Sequence, residues 1–267
     1  SQEEQSAKVT NLDYLAIGFP IANKVGAGFG IMPLSSVGYE LTDETTNNDG
    51  QAVTNAFTGE GGLNRIFFSI GFEPIKNLSI GATANFNFGT LEYQRVQSVD
   101  GVQFGTLDRR ESRINGLDFN YAATYTPTIK DKYTLYTSVM VNTQGNLASE
   151  NSARLGSFSL VNGQEIEVID VNLHNNNLKY TELKIPTKTT LGLGFGENKK
   201  WFVGGEYSFQ QFSDFRNDFL GIENVSYMDA SSFALGGYWV PDYRALGGYH
   251  KRITYRAGLR YEISGLE

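Results

Sequence analysis

Apolar side chains recur at every second position through much of the chain, and helical spacing is hard to find anywhere. In the run 201–209, WFVGGEYSF, Trp201, Val203, Tyr207 and Phe209 alternate with Gly204, Glu206 and Ser208. Leu78, Ile80, Ala82, Ala84, Phe86 and Phe88 alternate with Ser79, Gly81, Thr83, Asn85 and Asn87. The same period governs Leu117, Phe119, Tyr121, Ala123 and Tyr125, and it governs Ile253, Tyr255, Ala257, Leu259 and Tyr261. The pattern predicts about ten strands, near 10–19, 25–39, 61–73, 78–92, 110–126, 133–147, 184–196, 201–215, 226–240 and 252–262.

A soluble sandwich alternates too, so length and connection pattern must decide. Many of these strands exceed the five or six residues usual in globular sheets. Short connections (20–24, 74–77, 127–132, 197–200 and 241–251) alternate with long polar ones (42–60, 95–108, 149–180 and 216–225). Tight turns at one end and long loops at the other are the plan of an up-and-down outer-membrane barrel. Pro20, Pro74, Pro127 and Pro241 open short turns, where a missing N–H costs little. Phe19, Phe72, Tyr125 and Trp239 stand just before such turns and Trp201 just after one. Amphipathic rings at one level predict an interfacial aromatic girdle.

Composition agrees. Only 19% of residues are charged, 13% are aromatic, and Gly contributes 30 of 267, a mixture that suits strands better than helices. The absence of Cys excludes a disulfide framework and a Cys-bearing zinc site. A net charge of −7 has the wrong sign for a nucleic-acid partner. No apolar run is long enough for a spanning helix, but a transmembrane barrel shows no such peak because each strand alternates its two faces.

Two segments carry a family resemblance. The run 239–261, WVPDYRALGGYHKRITYRAGLRY, is similar to a stretch of FadL/TodX-type outer-membrane transport proteins. So is the opening LDYLAIGFP (12–20) followed by VGAGFGIMP (25–33), and a weaker likeness covers most of the chain. The resemblance implies a fourteen-stranded barrel with an N-terminal plug, importing fatty acids or aromatic hydrocarbons across a Gram-negative outer membrane. This sequence departs from that pattern, with no plug segment before Asn11 and no terminal aromatic at Leu266–Glu267. Residues 1–267 are therefore read as a single all-β domain, an antiparallel transmembrane barrel or part of a larger one.

Catalytic chemistry is sparse. His174 and His250 fall in a long loop and a turn, no nucleophile–base motif occurs, and no enzyme, cofactor or metal is expected. Gly26, Gly28 and Gly30 alternate within a strand, unlike a dinucleotide-binding turn. The run 42–50 offers oxygen ligands, but Thr45 and Ala56 stand where a calcium loop needs Asp and Glu. Asn162–Gly163 reads as a type I′ hairpin signal within the longest loop.

Strand charges say more. On the parity that sends apolar rows to lipid, Arg65, Glu73, Asp118, Glu206, Arg256 and Arg260 face inward, with Phe67, Tyr136 and Phe202 as apolar lining. Asp118 and Glu206 are expected to pair with inward arginines such as Arg256 and Arg260. The expected function is passive transport of hydrophobic or amphipathic small molecules, with membrane lipid and such a ligand as partners. The alternative is an accessory barrel that holds a protein partner on its long loops and transports nothing.

Overall fold

The computed structural model describes residues 13–220 and 226–265. The start of the first expected strand (10–12), the region before Asn11, loop residues 221–225 and Leu266–Glu267 lie outside these. Among the described residues every strand belongs to one antiparallel sheet, and no α-helix occurs. The strands are β1 (Leu15–Ala22), β2 (Val25–Thr46), β3 (Ala52–Ile75), β4 (Leu78–Val99), β5 (Phe104–Tyr125), β6 (Thr128–Ile129), β7 (Tyr133–Asn142), β8 (Gly145–Ser159), β9 (Glu165–Asp170), β10 (Tyr180–Ile185), β11 (Lys188–Glu197), β12 (Trp201–Gln210), β13 (Arg216–Asn217), β14 (Ala230–Trp239) and β15 (Tyr255–Ile263). Their continuous order is β1-β2-β3-β4-β5-β7-β11-β12-β14-β15. This is the up-and-down sheet of a transmembrane barrel, running open from β1 to β15 within the described residues.

The expectation of about ten strands is corrected to fifteen among the described residues. The additional ones are short pieces beside β7 and β10 and the strands β8–β10, most of which sequence reading assigned to a long loop. Two other expected loops are largely strand. β2 and β3 leave only 47–51 between them, and β4 and β5 leave only 100–103. The cause lies in the pattern. Beyond the apolar band apolar residues such as Val53, Phe57, Val96 and Leu107 are scattered among polar ones without a sustained period, so alternation has little amplitude to detect, yet cross-strand ladders continue. The Asn162–Gly163 hairpin exists between β8 and β9, but only Gly163 has positive φ (69°), so the turn is not type I′.

Strand length divides the sheet in two. β3 has 24 residues and β12 has 10. At about 3.4 Å per residue and a tilt near 40°, β12 rises about 26 Å, roughly one apolar band, whereas β3 rises about 60 Å. The upper halves of β2 to β5 therefore stand clear of the bilayer.

Register fixes the two faces. Ile66 pairs with Phe86 and Phe86 with Leu117, while Phe68, Ala84 and Phe119 form the next row. Leu191, Tyr207, Phe233 and Tyr261 continue this apolar face across the sheet. On β3 to β5 it ends at the row Asn64, Phe88, Asn115, above which Glu60, Glu92 and Glu111 lie side by side. Higher on β4, Tyr93 has its hydroxyl pKa raised, by burial first and then by Tyr39.

Candidate functional site

The opposite, polar face holds the charged residues expected there. Arg65 lies across from Asn87, and Asn85 lies across from both Phe67 and Asp118. The Arg65 guanidinium donates to Asp118 Oδ2 at 2.8 Å and to Asn87 Oδ1 at 2.8 Å. Asn85 Nδ2 donates to Asp118 Oδ1 at 2.6 Å, and Asn87 Nδ2 donates to Asp118 Oδ2. The carboxylate thus accepts three donors while its side chain is 6% exposed. Immediately above, Leu63, Ile114, Leu147 and Leu183 form a buried apolar cluster that shields the pair from water.

The other expected pairings differ. Asp118 takes Arg65 in place of Arg256 or Arg260. Glu206 and Arg260 share a row but stand two strands apart, about 10 Å, with Ala234 between them. Arg260 turns to Glu262 at 2.9 Å. Arg256 lies two rows nearer the short turns beside Tyr238, with no ion pair among the described residues. Glu73 is spent on local structure, its Oε1 accepting the Asn77 N–H in the β3–β4 turn.

A different arrangement occupies the polar face of β7, β11, β12, β14 and β15. Gly194, Gly204, Gly236 and Gly258 lie in register across four strands, leaving one level without side chains. Phe202 lies flat beside this row: a Cβ on Gly194 or Gly204 would come within 2.6 Å of its ring. Tyr136 meets Phe202 edge-on at 5.5 Å and Tyr238 stacks on it at 6.1 Å. Glycines and rings together open a groove of about 700 Å³, with Glu206 and Arg260 along it. Sequence reading selected Tyr136 and Phe202 but missed Tyr238 and the glycine register; the period-two parity of Gly194 and Gly204 is the signal that was available.

Two further features complete the face. Between the pairs Asn115–Ala148 and Asn120–Asn142, four residues of β5 oppose five of the β7–β8 segment, a bulge that interrupts the ladder. Thr143 bridges it, its N–H and hydroxyl both bonding to the Phe119 carbonyl. The aromatics expected at the girdle all take the apolar face, where Trp201 pairs with Trp239, Tyr125 ends β5, and Phe72 and Phe19 stand three residues before the ends of β3 and β1.

A family model described as BamG matches residues 1–267. The chain belongs to the BamG family. Among solved structures it is similar to the toluene transporter TbuX of Ralstonia pickettii, at 13% identity and a TM-score of 0.54, covering 95% of this chain and 69% of that one. It is also similar to the toluene transporter TodX of Pseudomonas putida, at 15% identity and a TM-score of 0.54, covering 94% and 67%. No curated protein matches. At these identities the likeness establishes the fold, which is of the FadL/TodX type. Family and fold place this BamG-family chain in the bacterial outer membrane.

Proposed function

We propose that the chain is a passive outer-membrane channel for hydrophobic or amphipathic small molecules such as fatty acids, and that it performs no chemical step. The observation that carries this reading is the groove of about 700 Å³ on the polar face. Its glycine row presents bare backbone and its rings present apolar edges, so a flexible hydrocarbon can slide without meeting a deep binding minimum. Tyr136 and Phe202 supply aromatic contact, with Tyr238 stacked against Phe202, while Glu206 and Arg260 give a polar end group a place beside the path. The Arg65–Asp118 network and the apolar cluster above it support the reading that one side of the lumen is rigid wall. A ligand captured at the long connections would then leave through the lumen or sideways at the β5–β7 bulge.

The test is uptake of a fluorescent fatty acid by proteoliposomes, with Gly236→Trp as the blocking variant. A Cβ at Gly236 meets nothing closer than 3.5 Å, so the substitution fills the groove without forcing the backbone. Uptake should fall about tenfold with heat-modifiable folding retained. Wild-type protein no faster than empty liposomes sinks the transport reading.

A second reading, an accessory barrel that holds a protein partner, is favoured by the folded upper sheet. β8, β9 and the adjoining 3-10 turn pack around Ala153, Leu173 and Phe219, giving a shaped platform where loops were expected. Removing the hairpin tip 160–164 separates the readings. A channel keeps its flux, whereas a scaffold loses its partner.

A further inference from the structure

The short-turn end of the molecule has its own chemistry. The five short connections (20–24, 74–77, 127–132, 197–200 and 241–251) hold eight of the chain's 22 lysines and arginines but three of its 29 acidic residues. Because the whole chain is −7, the remainder carries the entire negative excess. In an outer-membrane barrel the short turns face the periplasm, so this basic rim meets the inner leaflet.

One part of the rim is built as a site. On the apolar face, the last row before the turns runs Tyr133, Glu197, Trp201, Trp239, Tyr255 across five strands. Tyr133, Phe195 and Trp201 form a mutual cluster with centroids 5.5 to 6.2 Å apart. Glu197 is the single acid in that row, and two ammonium groups converge on it, Lys200 Nζ at 2.8 Å and Lys132 Nζ at 3.5 Å. Lys132 also lies 5.0 Å from the Tyr133 ring centre, and its pKa is raised, chiefly through Tyr133 and then Glu197. Each ammonium has three donors and Glu197 cannot use them all, so the trio keeps one net positive charge with free N–H groups. The carboxylate fixes the two lysines, which lowers the entropy lost when they grip an anion.

We infer that Lys132 and Lys200, braced by Glu197 and floored by Tyr133 and Trp201, bind the phosphate of an anionic phospholipid headgroup at the periplasmic edge of the membrane. The phosphodiester neutralises the residual charge, and the ring cluster meets the glycerol and upper acyl chains, an amphipathic fit that interfacial aromatics favour. Arg244 and Lys199 sit apart, each over the Tyr243 ring.

The test is native mass spectrometry of the protein taken from nanodiscs of phosphatidylcholine containing phosphatidylglycerol. Wild type should retain phosphatidylglycerol. The Lys132→Gln/Lys200→Gln double variant should lose about tenfold in retained lipid, while Lys199→Gln keeps it. Equal retention by the double variant and wild type overturns the proposal. Displacement of the lipid by millimolar inorganic phosphate would show a free-anion site and overturn the lipid assignment.

Discussion

The tall wall of β2 to β5 and the low wall of β11 to β15 solve the same problem differently. Both bury backbone polarity in ladders and both turn apolar rows to lipid. On the polar face the tall wall sets a hydrogen-bonded cluster of side chains above its own glycine row, Gly26, Gly71 and Gly81, whereas the low wall opens its glycine row into the groove. Arg65, Asn85, Asn87 and Asp118 make four mutual hydrogen bonds over three strands. The four-glycine row of the low wall, nearer the short turns, makes no side-chain bond at all. The difference teaches that one barrel face can be rigid by network on one side and slippery by omission on the other.

The sharpest way to break this contrast is to remove one arginine from each wall. Arg65→Leu leaves Asp118 buried without its countercharge and should destabilise by about 3–5 kcal/mol. Arg256→Leu, without an ion pair among the described residues, should change stability by less than about 0.5 kcal/mol. Temperature-dependent gel-shift unfolding in detergent reads both, and similar midpoints for the two variants would dissolve the distinction. Leu147→Ala comes next. This side chain is fully buried over the network, and its loss should cost about 2–5 kcal/mol by the same assay. Smallest is a gain. Glu92 stands between Glu60 and Glu111 on adjacent strands, and Glu92→Gln should stabilise by about 0.2–1 kcal/mol, more at low salt.

Facing was legible in the sequence because one side of the membrane strands is apolar and the other is not. Ile66 against Arg65 or Phe86 against Asn85 can be sorted by parity alone. Strand extent was not legible above the band, where polar rows such as Thr58, Gln94, Arg109 are no longer flanked by consistently apolar ones. Nor were the pairings. Arg65 and Asp118 are 53 residues apart, and their contact depends on registers set independently by two successive hairpins. Arg256 and Arg260 looked equivalent to Arg65 by parity, but parity says nothing about who stands in the next strand. The BamG-family assignment added the setting of the fold without altering any of these contacts.

The β8–β10 excursion has a consequence for assembly kinetics. Tyr180 pairs with Glu150, Ile185 with Gly145 and Lys188 with Asn142, a single register that survives the interruption at Pro186–Thr187. Joining β7 directly to β11 must close the whole loop from Asn142 to Lys188. If β8 and β10 meet first, that entropy is met over a shorter span. Pairing then advances downward one residue at a time until the membrane strands are already aligned. The extramembrane sheet thus acts as a jig that sets the alignment of two bilayer strands before they touch.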